Sequence, residues 1–395
     1  MSPLQLGPPS EVALGGTVEG PPLGWPLLAG AAVLLVALLL LIARGQSAGD
    51  FLLGLRLGLS GLVTKELRSR SRGWRPVLVL TGYLLLLSGG VLGFLYLVRL
   101  GMGVVPPTLG SQLFSTLALG AVVLLSFIAP ALTAGAVSGE RERRTLDLLL
   151  VTRASALGLV VGKLLGSLMY ALFLLSASLP AFALVYLYGG VPPSYLLMVF
   201  LVAVVTALTH AAVALFLSAL LRRTLATLVL SYMLVLGVVF GVPFVSGIAN
   251  VTGQMQMSSR AMPMSGPVAR SAVLEPAWYS YVSPVVSLAS VLPAGSPDVD
   301  LVGAVMRGVL IPGGGFAPQP SGLPLWRRQY VVGIDTATGR AETIVGWAPW
   351  VYHFLLSGIA SIFCVLVSAL SVAPIKPWRA AALRARRRRA VTASA

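Results

Sequence analysis

Charge is what this sequence has least of. Only 10% of its 395 residues are Asp, Glu, Lys or Arg, and just 12 are acidic; a soluble protein carries about 25% charged residues. Cysteine is nearly absent too. Cys364 stands alone inside an apolar run, which excludes an intrachain disulfide, a Cys-x-x-Cys redox pair and a zinc ribbon. No catalytic triad, carboxylate pair or internal repeat can be found, so neither intrinsic enzymatic chemistry nor a bound metal is expected.

What is present is apolar: 57% of the chain, with a mean hydropathy of +0.91. That composition belongs in a lipid bilayer. The 28 Lys+Arg give a net charge of +16, a value that elsewhere suggests nucleic acid. Here most basic residues sit in short segments beside long apolar runs, where they orient a membrane protein, and no nucleic-acid partner is expected.

Roughly 20 apolar residues are needed to cross the hydrocarbon core. Seven stretches qualify: about Pro26–Ala43, Pro76–Val98, Leu113–Val137, Ala156–Tyr188, Tyr195–Leu221, Leu225–Ile248 and Trp350–Val372. The fourth is over-long, with Pro180 expected to kink it and Gly189-Gly190 to end it. The first has no positive segment before it, unlike a secretory signal, and reads as a retained helix. Lys and Arg number seven in 44–75, five in 138–163, two at Arg222-Arg223 and seven from Lys376 onward, whereas 189–194 has none. These densities alternate across seven spans, predicting an outside N-terminus and a cytoplasmic C-terminus in the cell membrane.

The connection 250–349 is a hundred residues rich in Pro, Gly and Ser, and parity puts it outside. Within it Ala277–Leu292 is apolar. Spanning there would strand the Arg-rich tail outside, so a re-entrant or interfacial pair of short helices is expected, its second piece near Leu301–Leu310. Tyr330-Val331-Val332 and Thr343-Ile344-Val345 flank Thr336–Gly339 as a hairpin. Met255, Met257, Met262 and Met264 crowd the loop's start; thioethers suit Cu(I) but also make adaptable apolar surface.

Two segments on the inner side carry more information. Over 51–72, Phe51, Leu52, Leu55, Leu59, Leu62 and Val63 recur at helical spacing beside Arg56, Lys65, Arg68, Arg70 and Arg72, the pattern of a helix lying along the membrane surface. The other is Gly139–Leu150. Glu140/Arg144 and Arg143/Asp147 stand four residues apart, expected to stabilise an exposed helix by a few tenths of a kcal/mol each. Such a charged helix, rigidly joined to two spans, is something a soluble partner could grip; it also suits a plain solvated connection.

These segments resemble the membrane subunits (permeases) of type-2 ABC transporters, mostly exporters. Lys65-Glu66-Leu67-Arg68-Ser69-Arg70-Ser71-Arg72, leading into Trp74-Arg75-Pro76-Val77, is similar to that family's elbow helix. Ser138–Thr152 is similar to its coupling segment, Gly-Glu-Arg-Glu-x-Gly-Thr-Leu-Glu-x-Leu-Leu-x-Thr-Pro, and Gly-Lys-Leu-Leu follows at Gly162–Leu165. The chain departs from that pattern at Arg144 (usually Gly), Asp147 (usually Glu) and Arg153 (usually Pro). The likeness covers roughly 51–375, with the first span and the outer loop outside the shared core.

The resemblance implies an all-α integral membrane protein: a six-helix permease bundle, one extra N-terminal helix, a cytoplasmic elbow and a large outer loop. The chain then divides into 1–50 (tail and extra helix), 51–249 (elbow and five spans, coupling helix at 139–150), 250–349 (outer loop) and 350–395 (last span and basic tail). It implies coupling to separate ATPase subunits through Glu140, Arg141, Glu142, Arg143, Arg144 and Asp147, and an elbow carrying Lys65, Glu66, Arg68 and Arg70. It further implies a second permease, identical or not, surrounding lipid, and ATP and Mg held by the ATPase rather than by this chain.

Other features fit that division of labour. Gly158–Leu164 imitates a phosphate loop, but has three residues between its glycines where four are needed and Leu164 where Ser or Thr belongs. Leu87–Val91 echoes an ATPase signature inside a span, where its glycines serve helix packing. None of the seven spans holds Asp or Glu, although proton- and ion-coupled carriers usually do. His210, near mid-membrane, is either a contact for substrate or a neutral imidazole bonded to a neighbouring helix; His353 is expected near the outer interface. A carrier or channel without an ATPase, and a membrane anchor working through its outer loop, remain alternatives.

Overall fold

A computed structural model of the chain describes residues 73–102, 109–145, 156–189, 191–221, 223–248, 252, 278–292, 327–334 and 341–372. The expected first span, the 51–72 helix, Asp147, the methionine cluster, the Leu301–Leu310 piece and the basic tail lie outside these residues. Among those described, six helical stretches are long and apolar enough to cross a membrane.

The first is α1 (Arg75–Met102), the second α2 (Leu109–Thr133). A short α3 (Ser138–Glu142) follows, then α4 (Ala156–Ala177) and α5 (Leu179–Tyr186), which together make the third span. The helix breaks at Ser178, whose N–H reaches the Leu174 and Leu175 carbonyls at 3.2 Å each. Pro180, at the head of α5, has no N–H with which to continue the ladder. Next come α6 (Pro193–Leu220) and α7 (Thr224–Leu236), the latter extended through a π-helical turn, Gly237–Gly241, to Ile248. α9 (Pro349–Val372) closes the set.

In lipid the water-driven pull between apolar helices is gone, so close packing and hydrogen bonds hold spans together. α6 shows the consequence. Ala203, Ala207, Ala211, Ala212, Ala214 and Ser218 are all buried, and this small-residue surface lets α2 and α9 approach its backbone. α1 is held by a narrow stripe, Tyr83, Leu87 and Phe94, spaced for one helix face; Leu78, Leu85, Leu92 and Tyr96 are exposed, as a lipid-facing side requires. α7 likewise exposes Leu225, Val229, Met233 and Phe244.

Of the expected apolar stretch, residues 278–292 are described, and they pack against the bundle in two short pieces too short to cross a membrane. Trp278–Val282 forms a 3-10 turn and Pro284–Val291 forms α8, with proline at its first position. Val286, Ser287 and Leu288 are fully buried, and Val285 packs with Val235 and Val239 beside the π-helical turn of α7. The hairpin is present too. β1 (Arg327–Ile334) pairs antiparallel with β2 (Ala341–Trp347), with Tyr330 opposite Ile344 and an irregularity between Val331 and Gly333. Among the described residues the chain is thus helical apart from one small ribbon leading into α9.

Candidate functional site

The α2–α4 connection is where the structure differs most from a plain solvated helix. Its first turn is capped from another span: Ser218 Oγ, on α6, accepts the Val137 N–H at 3.0 Å and the Ser138 N–H at 2.9 Å, and itself reaches Ser138 Oγ at 3.2 Å. Gly135 and Gly139, one turn apart, both face Thr224 at the head of α7. A Cβ on Gly135 would stand 3.2 Å from Thr224 Cγ2, so only glycine admits that approach comfortably.

α3 stops after five residues because the chain turns left-handed at Arg144, φ +56°. The Thr145 N–H returns to the Glu140 carbonyl at 2.9 Å and the Arg144 N–H to that of Arg141 at 3.1 Å. These two bonds make a Schellman ending, with Arg144 at the position glycine usually takes. The expected Glu140/Arg144 pair on a continuing helix is therefore not formed. Arg144 lies past the helix end, and Glu140 has a different partner.

Three successive charges go to three different spans. Glu140 Oε1 accepts from Lys163 Nζ of α4 at 2.7 Å. Arg141 Nη2 donates to the Ser371 carbonyl, at the C-terminal end of α9, at 3.4 Å. Glu142 accepts the Thr224 N–H at 2.8 Å through Oε1 and the Thr224 hydroxyl at 2.9 Å through Oε2. A carboxylate at a helix N-terminus and a guanidinium at a C-terminus each match the local partial charge. Thr224's bonds hold the Glu142 carboxyl below its ordinary value. Its preference for the folded chain is thus complete above the ordinary carboxylate range and is lost as pH falls through the lowered value.

With Ser218, these contacts join one eight-residue segment to α4, α6, α7 and α9. Of the charges expected to be displayed, Glu140 and Arg141 are partly covered, while Glu142, Arg143 and Arg144 are exposed; Asp147 lies outside the described residues, as do Lys65, Glu66, Arg68 and Arg70. Lys163, which the sequence places in the Ala156–Tyr188 span while counting it among the basic residues of 138–163, stands two turns inside α4 with its side chain only 9% exposed; what the sequence missed is its partner. The signal was available: a lysine seven residues into an apolar run needs either a path to the headgroups or a buried partner.

Arg144 gives a direct test of the helix ending. A left-handed non-glycine residue is strained by about 1–2 kcal/mol, while glycine's extra freedom in the unfolded chain returns about 0.4–1 kcal/mol of that. Arg144→Gly should therefore raise stability by roughly 0.5–1 kcal/mol, read as a higher midpoint of thermal unfolding in detergent.

A second polar group lies toward the other end of the bundle. His353 is buried, in the second turn of α9. Its Nδ1 donates to the Tyr281 carbonyl at 3.1 Å, which leaves Nε2 to accept from Thr206 of α6 or from Ser357, both at 3.5 Å. The Tyr281 and Tyr352 rings stack at 4.8 Å, so the 3-10 turn is clasped to α9 by ring and imidazole together. His210, one turn beyond Thr206, is buried as well, but its Nδ1 has no hydrogen-bond partner among the described residues.

Residues 26–372 match the family described as ABC-2 family transporter protein. The match takes in the first apolar run and the outer loop, both expected to lie outside the shared core. No curated protein matches the chain.

Proposed function

The chain belongs to the ABC-2 transporter family, and from that premise we propose that this integral membrane permease is the transmembrane half of an ATP-driven exporter. Two permeases enclose the pathway. Two separate ATPase subunits, holding ATP and Mg, bind at the end of the bundle where Ser138–Thr145 lies. The elbow residues Lys65, Glu66, Arg68 and Arg70, and Asp147, are proposed to share in the coupling to the ATPase. ATP-driven closure of the ATPases pushes on the segment and tilts the bundle from inward- to outward-open. His210, with its unpartnered buried Nδ1, is the side chain proposed to meet a polar group of the substrate.

The observation that supports this most is the attachment of Ser138–Thr145 to four spans at once. A solvated connection needs no such attachment, whereas a segment that receives a push must be stiffly joined to everything it moves. The exposed Arg143 and Arg144 then offer the partner a charged surface without disturbing the bundle.

Purification of the tagged chain from its native membrane should bring down an ATPase subunit and ATP hydrolysis with it. Arg143→Glu/Arg144→Glu should fold normally and weaken that association by at least about 30-fold, as loss of desolvated charge pairs at an interface does. A wild-type chain that carries no ATPase would instead favour a carrier.

Orientation has its own test. In a Cys364→Ser background, Ser10→Cys and Ser258→Cys should react with an impermeant thiol reagent on intact cells, and Ser394→Cys only after permeabilisation. Cys364 is buried, so its replacement leaves the surface unchanged. Labelling of Ser394→Cys from outside would reverse the proposed cytoplasmic C-terminus.

A further inference from the structure

The ion pair between Glu140 and Lys163 is poorly built for stability alone. The Lys163 side chain is 9% exposed and that of Glu140 23%, so both charges are largely out of water. Glu140 Oε1 is bonded at 2.7 Å, but Oε2 is buried with no hydrogen-bond partner among the described residues. A buried pair repays its desolvation only when its remaining lone pairs and protons are satisfied, and an unsatisfied one is weak evidence for a stabilising role. Lysine in a span also tends to extend toward the headgroups; Lys163 turns instead to Glu140. Ionisable groups held inside spans in this way mark functional positions.

The geometry supplies the role. Ser138–Thr145 meets α6, α7 and α9 at their ends, through a hydroxyl, a helix N-terminus and a carbonyl. Its contact with α4, by contrast, reaches two turns into a span. Resting on the proposed function, we infer that Lys163 is a positioning residue that carries movement of the 138–145 segment into α4 through Glu140. A push on α3 is transmitted to α4 as a pull on a single charged contact, well up the helix from its end, where it exerts leverage.

Three variants of the full chain, each purified with its ATPase, test this. Spin labels at Ser176→Cys on α4 and Ile362→Cys on α9, both exposed sites, in the Cys364→Ser background report the distance between the two helices with and without Mg-ATP. Glu140→Leu/Lys163→Met replaces the pair by apolar side chains, a change that usually preserves folding. It should elute as the wild type does, and its distance change is compared with that of the wild type per ATPase bound. Its ATP-driven distance change should fall about tenfold, within the usual range of coupling between sites. The swap Glu140→Lys/Lys163→Glu should recover most of the change, and Lys163→Met alone should not. A full distance change in the apolar double variant, or a swap no better than the single variant, would overturn the role of Lys163. A wild-type chain that binds no ATPase would overturn the function beneath it, and this inference with it.

Discussion

Reversing Glu140 and Glu142 to lysine should collapse the segment's attachment to the bundle rather than merely alter its surface. Glu140→Lys leaves Lys163 buried and facing a second ammonium. Removing one partner of a buried pair is destabilising by about 3–5 kcal/mol, and the partial exposure of Glu140 favours the lower end. Glu142→Lys removes the acceptor of the Thr224 N–H and hydroxyl and puts a cation at a helix N-terminus, where the local charge is already positive. Membrane proteins tolerate little loss of that size, so the double variant should express poorly, elute as a broad peak and exchange amide hydrogens fast at Thr224–Thr227. Glu142→Gln, which keeps an acceptor, should fold. A double reversal that folded normally and lost only ATPase binding would mean that Glu140 and Glu142 serve the partner rather than the attachment to the bundle.

A comparable loss is expected at the opposite end from a single methyl group. A Cβ on Gly110, in the first turn of α2, would overlap the carbonyl oxygen of Gly189. Gly189 is itself left-handed, φ +76°, closing the turn between α5 and α6. The obstacle is backbone at a constrained position, so it cannot rotate aside as a side chain would. Gly110→Ala should therefore lower stability by about 2–3 kcal/mol, the upper part of the range for overpacking, and Gly110→Val by more. Gly93→Ala supplies the contrast: nothing lies within 4 Å of a Cβ there, and alanine in a helix interior is better than glycine by up to about 1 kcal/mol. Thermal unfolding of the two alanine variants side by side in detergent should move the midpoint in opposite directions. Equal midpoints would mean that α2 and the 189 turn are not in contact.

These two sites differ in how much of them could be read beforehand. Gly189 was visible as a helix terminator, and Pro180 as a kink, because each acts on its own stretch of backbone. That Gly110 lies against Gly189 was not visible, since it depends on how two helices cross. The same division separates Arg144, whose left-handed turn is anticipated by a position usually occupied by glycine, from Lys163, whose partner lies 23 residues away.

The described spans, a short helix within Ala277–Leu292 and the hairpin follow from the sequence by itself. Crossing a bilayer requires length and hydropathy, and a hairpin requires alternation around a turn; both are properties of contiguous residues. The basic segments, the similarity of Ser138–Thr152 to a coupling segment, and hence the family, were legible for the same reason. The destinations of Glu140, Arg141 and Glu142 were decided only by tertiary structure. A five-residue helix aims its side chains according to where it stops, and it stops where the Schellman bonds close. What those side chains then find is the N-terminus of α7, the C-terminus of α9 and an ammonium inside α4, brought together from far apart in the chain by packing. His353 is a further case: its place four residues into α9 is read from the sequence, but only the packed structure supplies the carbonyl of Tyr281 that its ring is bonded to.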